Sequence, residues 1–509
     1  MKNKNKSTKK WAKIPKSIYL PENIVKFLTA RIIENPPIFN MNEKIAKFYL
    51  HVLFKKVTSD WENETFDTYY SLCSKILDDY SSNYNKYFDY FVENRILEKL
   101  NHKKFPGQKS KCIRYRFSEH IRQAMDLDVN YEIVMIDMTD VRTRNTKVVS
   151  HEISNIVKHS AKHLSKWLNE NLTIDYLDAK NLVKNDMSLS KYQKISYLAA
   201  IENLNSNNIY ASRNRDTDNR IHTNLSNCPK ILRPFIRYKG ENLVNYDIKS
   251  SQPYFMIALV ECMQQKLGKG FFIEDKGSNR SKNRNINLER FINKKIGDKP
   301  LMWQKLSAVL YSSGFQRDYE VLENWILEGV FYDEMMKILY PNKPYNGRWE
   351  RKVSKLLGID TDGKEIQKMI SKFYCLDDKE DEKMMIKESV FSILYGGAKN
   401  PVREFKDFQN YFPFFSEFLL IIKGSNKSDF PILLQQIEST CVLDYVTKQL
   451  AAKYPDMPLF TVHDSIVTTE SYSEKYDLKF LIIDLIEEFT SLPPMVEEEF
   501  FNYNYQEKN

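Results

Sequence analysis

Apolar residues recur at helical spacing through much of the chain. Between Glu43 and Val57, Ile45, Phe48, Tyr49, Val52 and Leu53 fall on one helical face. The pattern continues from Tyr84 to Leu100 through Phe88, Phe91, Val92 and Ile96. The period then changes. Cys112-Ile113-Arg114-Tyr115-Arg116-Phe117 alternates as a strand does, after the turn-rich Phe105-Pro106-Gly107-Gln108. Residues 130–137, with Tyr131 to Asp137, form a second strand-like run. Residues 151–205 return to helix, with Ile153, Ile156, Val157, Leu164, Trp167 and Leu168 on one face. Two later stretches alternate again. In Leu243 to Ile248, the residues Val244, Tyr246 and Ile248 alternate with Leu243, Asn245 and Asp247. Leu459 to Thr468 holds two β-prone runs flanking His463-Asp464, which predicts a tight hairpin with a carboxylate at its tip.

Size and composition narrow the class. At 509 residues the chain has room for two to four domains. Apolar residues at 42% and charged residues at 28% describe a soluble globular protein. The net charge of +9 suits a polyanionic partner. The six cysteines form no CxxC pair, so neither a zinc site nor a disulfide framework is expected, and reduced thiols in the cytoplasm are. The basic start, MKNKNKSTKKWAKIPK, is followed by no apolar run and is expected to be a disordered arm over residues 1–16 rather than a signal peptide. No run of about 18 apolar residues exists to span a membrane. Lys276 to Lys295 is strongly basic and broken by Gly, Ser and Asn, as in a loop that follows a phosphate backbone or is simply solvated. Val496 to Asn509 reads as an acidic, aromatic tail.

Some candidate chemistry reads as structure. Asp137 and Asp140 lack the further carboxylates of a proofreading site, so a strand ending in a turn is expected there. His159 and His163 lie four apart, but no third ligand is evident, and with His151, Lys158, Lys162 and Lys166 they read as a polar, basic face.

Three segments carry more. Asp247 sits near a strand end, followed by Ser250, Ser251 and Gln252 in a turn constrained by Pro253. Lys383, Lys387, Phe391 and Tyr395 are spaced by four along one drifting helical face, with cations for phosphates at one end and rings for a base at the other; Gly396 and Gly397 end that helix. His463-Asp464-Ser465 forms the third. Two carboxylates on neighbouring strands can hold two Mg²⁺ about 3.5–4 Å apart for phosphoryl transfer.

In this order the segments resemble motifs A, B and C of the family A DNA polymerases and the phage-type single-subunit RNA polymerases, over roughly residues 206–470. Arg220-Ile221-His222-Thr223 upstream of the first motif, and Gln435-Gln436 upstream of the third, extend the likeness. The resemblance implies that Asp247 and Asp464 are the catalytic metal ligands, with the Ile248 carbonyl assisting. It implies that Lys387 and Lys383 bind the triphosphate, and that Phe391, Tyr395 and Gln252 line the nucleotide pocket. Arg220, Thr223, Gln436 and His463 would meet nucleic acid. Two positions depart from the DNA polymerases: Gln252 stands where they have a Glu that helps exclude ribonucleotides, and Ser465 where they have a Glu after the third-motif Asp.

The expected architecture is α+β, a right-hand polymerase with palm, fingers and thumb-like helices. Residues 17–125 precede it as a helical domain whose hairpin, with Arg114 and Arg116 on one face, resembles a winged helix. The thumb-like helices take 126–205, the palm 206–265 and 401–509, and the fingers 266–400. The expected function is DNA-directed DNA synthesis in replication of a mobile element or phage, on a primer-template with nucleoside triphosphates and two Mg²⁺. The alternatives are a single-subunit RNA polymerase or primase, and a non-catalytic replication initiator or DNA-binding protein.

Overall fold

The computed structural model describes residues 13–14, 17–58, 67–100, 112–127, 132–141, 147–148, 153–268, 300–341, 379–399, 401–424 and 428–502. The Phe105–Gln108 turn, the Lys276–Lys295 loop, His151 and most of the N-terminal arm lie outside them. Lys13–Ile14, at the end of that arm, pairs in parallel with Lys147–Val148. The described chain mixes α and β structure, and none of its helices is long and apolar enough to cross a membrane.

After a first helix at Glu22–Glu34, Glu43–Thr58 is helical and buries Ile45, Phe48, Tyr49 and Leu53 of the face that the periodicity predicted, with Val52 half-buried. The helix that starts at Tyr84 stops earlier than its pattern, at Glu93. Arg95 takes a φ of 54°, and the chain turns into strand Leu97–Leu100, so buried Ile96 belongs to the turn rather than to a helix. Arg114–Phe117 then forms the middle of a three-stranded antiparallel sheet. Arg114 is exposed, whereas Arg116 pairs with Glu98 at 2.7 Å and lies over the Tyr69 ring.

The strand-like run at 130–137 is a strand over Ile133–Asp137, and it pairs antiparallel with Ser17–Pro21. Asp137 accepts from the Thr139 amide and hydroxyl, and Asp140 pairs with Lys44 at 2.6 Å, so each carboxylate serves the turn or a neighbouring helix. His159 and His163 fall on separate short helices, Asn155–Ser160 and Lys162–Ser165. The first donates to the Asn155 carbonyl, and the second meets the Thr447 hydroxyl at 2.8 Å.

The element that organises the rest is a four-stranded antiparallel sheet. Its strands are β1 (Leu243–Ile248), β2 (Phe460–Val462), β3 (Ser465–Thr469) and β4 (Val496–Phe501), in the order β2-β3-β1-β4. The stretch expected to be an acidic tail begins with β4, an edge strand whose Glu497 lies opposite Asp247. Leu243, Val244, Tyr246 and Ile248 of β1 are all buried, each worth about 1.5–3 kcal/mol of transfer. That packing fixes where the polar members of the strand can point.

Helix α1 (Ser251–Gly268) starts directly after β1. The turn is shorter than expected: Ser250 alone is left-handed, with a φ of 54°. Pro253 falls in the first helical turn, where a missing N–H costs nothing. Helix α2 (Phe331–Leu339) packs on α3 (Lys379–Tyr395), and helix α4 (Pro413–Lys423) packs on α5 (Asp429–Ser439). Buried Lys423 donates to the Ile393 carbonyl at 2.5 Å, in the last turn of α3. Gly396 follows the last residue of α3, and no side chain fits there: a Cβ would lie 2.6 Å from the Ser392 carbonyl oxygen.

Candidate active site

The β2–β3 pairing runs to Val462 opposite Ser465, which leaves His463 and Asp464 as a two-residue turn. Such turns favour positive φ, and His463 supplies it at 58°. The Ser465 hydroxyl donates to the Val462 carbonyl at 2.8 Å, closing the hairpin from inside. A small hydroxyl residue after Asp464 therefore has a local reason. Across the sheet, β1 pairs with β3 as far as Tyr246 opposite Ile466, so the next residue, Asp247, lies alongside the hairpin tip that carries Asp464.

The electrostatics agree. The Asp247 carboxyl is pushed up to about 7, first by burial, then by the like charge of Asp464 and of Glu499 and Glu497 on β4, while Lys387 pulls it down. Motif residues more than two hundred positions apart in sequence thus act on one carboxyl group. Left-handed Ser250 and His463 flank the pair. A strained backbone beside two like charges is an arrangement that only surrounding structure maintains.

Helix α3 faces this pair. Its core side carries Met385, Ile386, Ser389, Val390, Ile393 and Leu394, all buried. Lys383 and Lys387 are exposed and Phe391 and Tyr395 half-buried on the other side, as the four-residue spacing predicted. The Phe391 and Tyr395 rings stack at 5.4 Å and 10°. Lys387 lies 5.7 Å over the Tyr332 ring of α2. Burial and then Asp464 raise the Tyr332 hydroxyl above its ordinary range, which places this tyrosine at the same site.

Beneath the pair sits Glu438 of α5, fully buried. Its Oε1 accepts from Arg220 Nε at 2.8 Å and Nη2 at 2.5 Å. Its Oε2 accepts from Gln252 Nε2 and from the Ser251 hydroxyl. Gln252 Oε1 accepts in turn from the Tyr395 hydroxyl at 2.8 Å. Burial opposes the Arg220 charge, but Glu438 overrides it and raises the guanidinium's hold on its proton, with Asp464 and Tyr395 adding to the effect. Arg220, Gln252, Tyr395 and Asp464 are therefore one neighbourhood. Burial and then Arg220 lower His463, which favours its neutral form.

Two expected nucleic-acid contacts have other work. Gln436 is buried, and its amide donates to the Arg215 and Thr217 carbonyls, holding the loop that leads to Arg220. Thr223 is buried in a turn where its hydroxyl accepts from the Ser226 amide at 3.1 Å. Ile248 ends β1 opposite Val496.

Tyr332, Glu438 and the β4 glutamates were not singled out from sequence. Glu438 did leave a signal: the one acid between Leu433 and Leu443, a stretch with no other charge, must be either exposed or partnered. Tyr332 left none among 31 tyrosines.

Among the described residues, no group of three or more His, Cys, Asp or Glu side chains gathers as a metal cage. Asp247 and Asp464 offer a smaller donor set of hard carboxylate oxygens. That set fits Mg²⁺, which is commonly held by one or two carboxylates, with substrate phosphates and water completing the octahedron.

No family model matches the chain, and no curated protein does. Among solved structures, it is similar to the POL domain of Pol1 from M. smegmatis in complex with DNA primer-template and dNTP. The two are 11% identical with a TM-score of 0.24, over 64% of this chain and 55% of that one. The chain thus spans little more than half of that structure's length, and a likeness of this degree carries no argument about fold or chemistry.

Proposed function

We propose that this chain is a template-directed nucleotidyltransferase, a DNA polymerase acting on a primer-template by metal-assisted phosphoryl transfer. The observation that carries this reading is the convergence on Asp247 of Asp464 and Lys387, three motif residues brought from three parts of the chain. In this reading the four-stranded sheet is the palm, α2 and α3 belong to the fingers, and the helices of residues 153–205 are thumb-like.

Asp247 and Asp464, with the Ile248 carbonyl, hold the metal. When bound there, Mg²⁺ supplies charge neutralisation and makes a primer 3′-hydroxyl easier to deprotonate. Lys387 and Lys383 orient the triphosphate. The stacked Phe391 and Tyr395 rings, with Gln252 behind them, form the wall against which the base and sugar rest. His463 and Arg220 lie towards the primer end. Phosphoryl transfer requires positioning and charge rather than covalent chemistry from the protein, and this arrangement offers both.

The test is extension of a labelled primer-template with Mg²⁺, with deoxynucleotides and ribonucleotides offered separately, beside an Asp464→Ala variant. Metal-dependent extension that the variant lacks is the expected result, and the accepted sugar decides between DNA and RNA synthesis. Nucleic-acid binding without extension, on DNA and RNA templates, primed and unprimed, would move the chain to the non-catalytic binding proteins.

A further inference from the structure

We propose that Glu438 is a positioning residue of the nucleotide pocket: its carboxylate sets the direction of the Gln252–Tyr395 hydrogen bond while it anchors Arg220. The proposal rests on the polymerase reading and names a residue that the motifs do not contain.

The directionality follows from donor and acceptor counts. Burial and then Asp464 push the Glu438 carboxyl up to about 8; paired with both Arg220 donors it is taken as the carboxylate, which only accepts. One oxygen of Glu438 is taken by two N–H groups of Arg220, and the other by Gln252 Nε2 with the Ser251 hydroxyl at 3.5 Å. With its nitrogen turned to Glu438, Gln252 must present its carbonyl oxygen to Tyr395, which accordingly donates its single proton at 2.8 Å. The Tyr395 hydroxyl is thereby left with acceptor capacity alone. Its ring is held parallel to Phe391, 5.4 Å away. The geometry of the pocket wall is thus dictated from beneath by an acid that is 0% exposed. Immediately after α5, Thr440–Val446 is π-helical, a distortion that is frequent at functional sites. Chains of hydrogen bonds in a low-dielectric interior reinforce one another, so an error at one end reaches the other.

The experiment is a double-mutant cycle read by steady-state nucleotide incorporation. In Glu438→Gln, the new amide must give its oxygen to Arg220 and its nitrogen to Gln252. Gln252 then turns over, and Tyr395 is forced from donor to acceptor. The nucleotide KM is expected to rise about tenfold, the scale of one mismatched buried hydrogen bond, with kcat falling less than KM rises. Gln252→Glu alone sets two carboxylates face to face and is expected to be at least as impaired. The double variant Glu438→Gln/Gln252→Glu reverses the bond between residues 438 and 252 but again meets each donor with an acceptor and returns Tyr395 to donating. Its KM is expected to return to within about threefold of the wild type.

Rescue of KM by the second change is a result that a merely structural role would not give, and melting temperatures of the four proteins separate folding damage from pocket damage. Wild-type KM in Glu438→Gln, or a double variant no better than the worse single, overturns the proposal while leaving the polymerase reading intact. Failure of the wild-type protein to incorporate any nucleotide overturns the polymerase reading, and this role with it.

Discussion

Two sets of carboxylates, one buried and one half-buried, lie within electrostatic reach of each other, and they are built in opposite ways. Glu438 is surrounded by donors: two from Arg220, one from Gln252 and one from Ser251. Asp247 is surrounded by charge, mostly of its own sign, from Asp464, Glu499 and Glu497, with Lys387 the one opposing force among the main ones. The first set has both oxygens paired within the protein, although burial and Asp464 still push the Glu438 carboxyl up to about 8. The second is destabilised as it stands and improves when a cation joins it. A buried acid that is fully paired holds structure, whereas a half-buried pair of acids facing each other is a place for a ligand.

The contrast breaks most sharply at Asp464. Replacing it with alanine is expected to reduce primer extension about a thousandfold, the several kcal/mol that a metal-assisted step contributes. Melting temperature of the metal-free variant should hold steady or rise, because a like charge beside Asp247 has gone. A variant that loses activity by unfolding would put Asp464 with the structural acids.

The same test at the other set should give the reverse. Glu438→Leu strands the Arg220 guanidinium in a site where it is mostly buried, and is expected to lower stability by about 3 kcal/mol in urea unfolding. An unchanged midpoint would mean that the pair is dispensable to the fold.

pH acts on both in the same sense, because burial and Asp464 also raise Glu438, to about 8. The folded Asp247 carboxyl is raised to about 7 from an ordinary value of 3.8. The native state therefore holds this proton more tightly than the unfolded chain does. Its stabilising contribution is full below about pH 4 and is lost as pH rises through 7. Allowing for its partial exposure, the loss should be about 2 kcal/mol. His163, lowered to about 4 by burial and neighbouring cations, works in the other direction between pH 4 and 6.5, so the comparison must be made against Asp247→Asn. Added Mg²⁺ should raise the melting temperature more at pH 8 than at pH 6 in the wild type, and at neither pH in that variant.

How much of this was legible depended on whether a feature is local. The hairpin at His463-Asp464 was readable because two alternating runs with a two-residue gap permit little else. The exposed row Lys383, Lys387, Phe391, Tyr395 was readable because helical geometry alone places residues four apart together. Strand β4 was missed because Glu497-Glu498-Glu499 breaks the alternation, as polar edge strands do. The early end of the Tyr84 helix was missed because a left-handed Arg95 has no sequence signature. Tyr332 and the role of Glu438 were out of reach for a different reason. Their meaning comes from partners in α3, α1 and the loop before Arg220, and no period connects those segments. Gln436 shows the converse: its place in a motif suggested nucleic acid, whereas its burial gives it a loop to hold.

The smallest expected effect is also the most discriminating. Lys387 is the one cation among the main forces on Asp247, and it reaches that carboxyl from a helix across the cleft rather than from the sheet. If the two elements are held as the structure has them, Lys387→Met should make Asp247 easier to protonate. The pH at which the metal-free protein loses stability should then move up, by less than Asp464→Asn moves it down, because Asp464 is the stronger of the two influences. The shift is readable by following the pH dependence of the urea midpoint in the three proteins, with Asp247→Asn as the baseline. No movement in Lys387→Met, alongside a clear one in Asp464→Asn, would mean that helix α3 stands away from the carboxylates until nucleotide arrives. The same variant should then show an effect only on nucleotide KM. Movement in both would mean that sheet and helix already frame the site before any ligand binds.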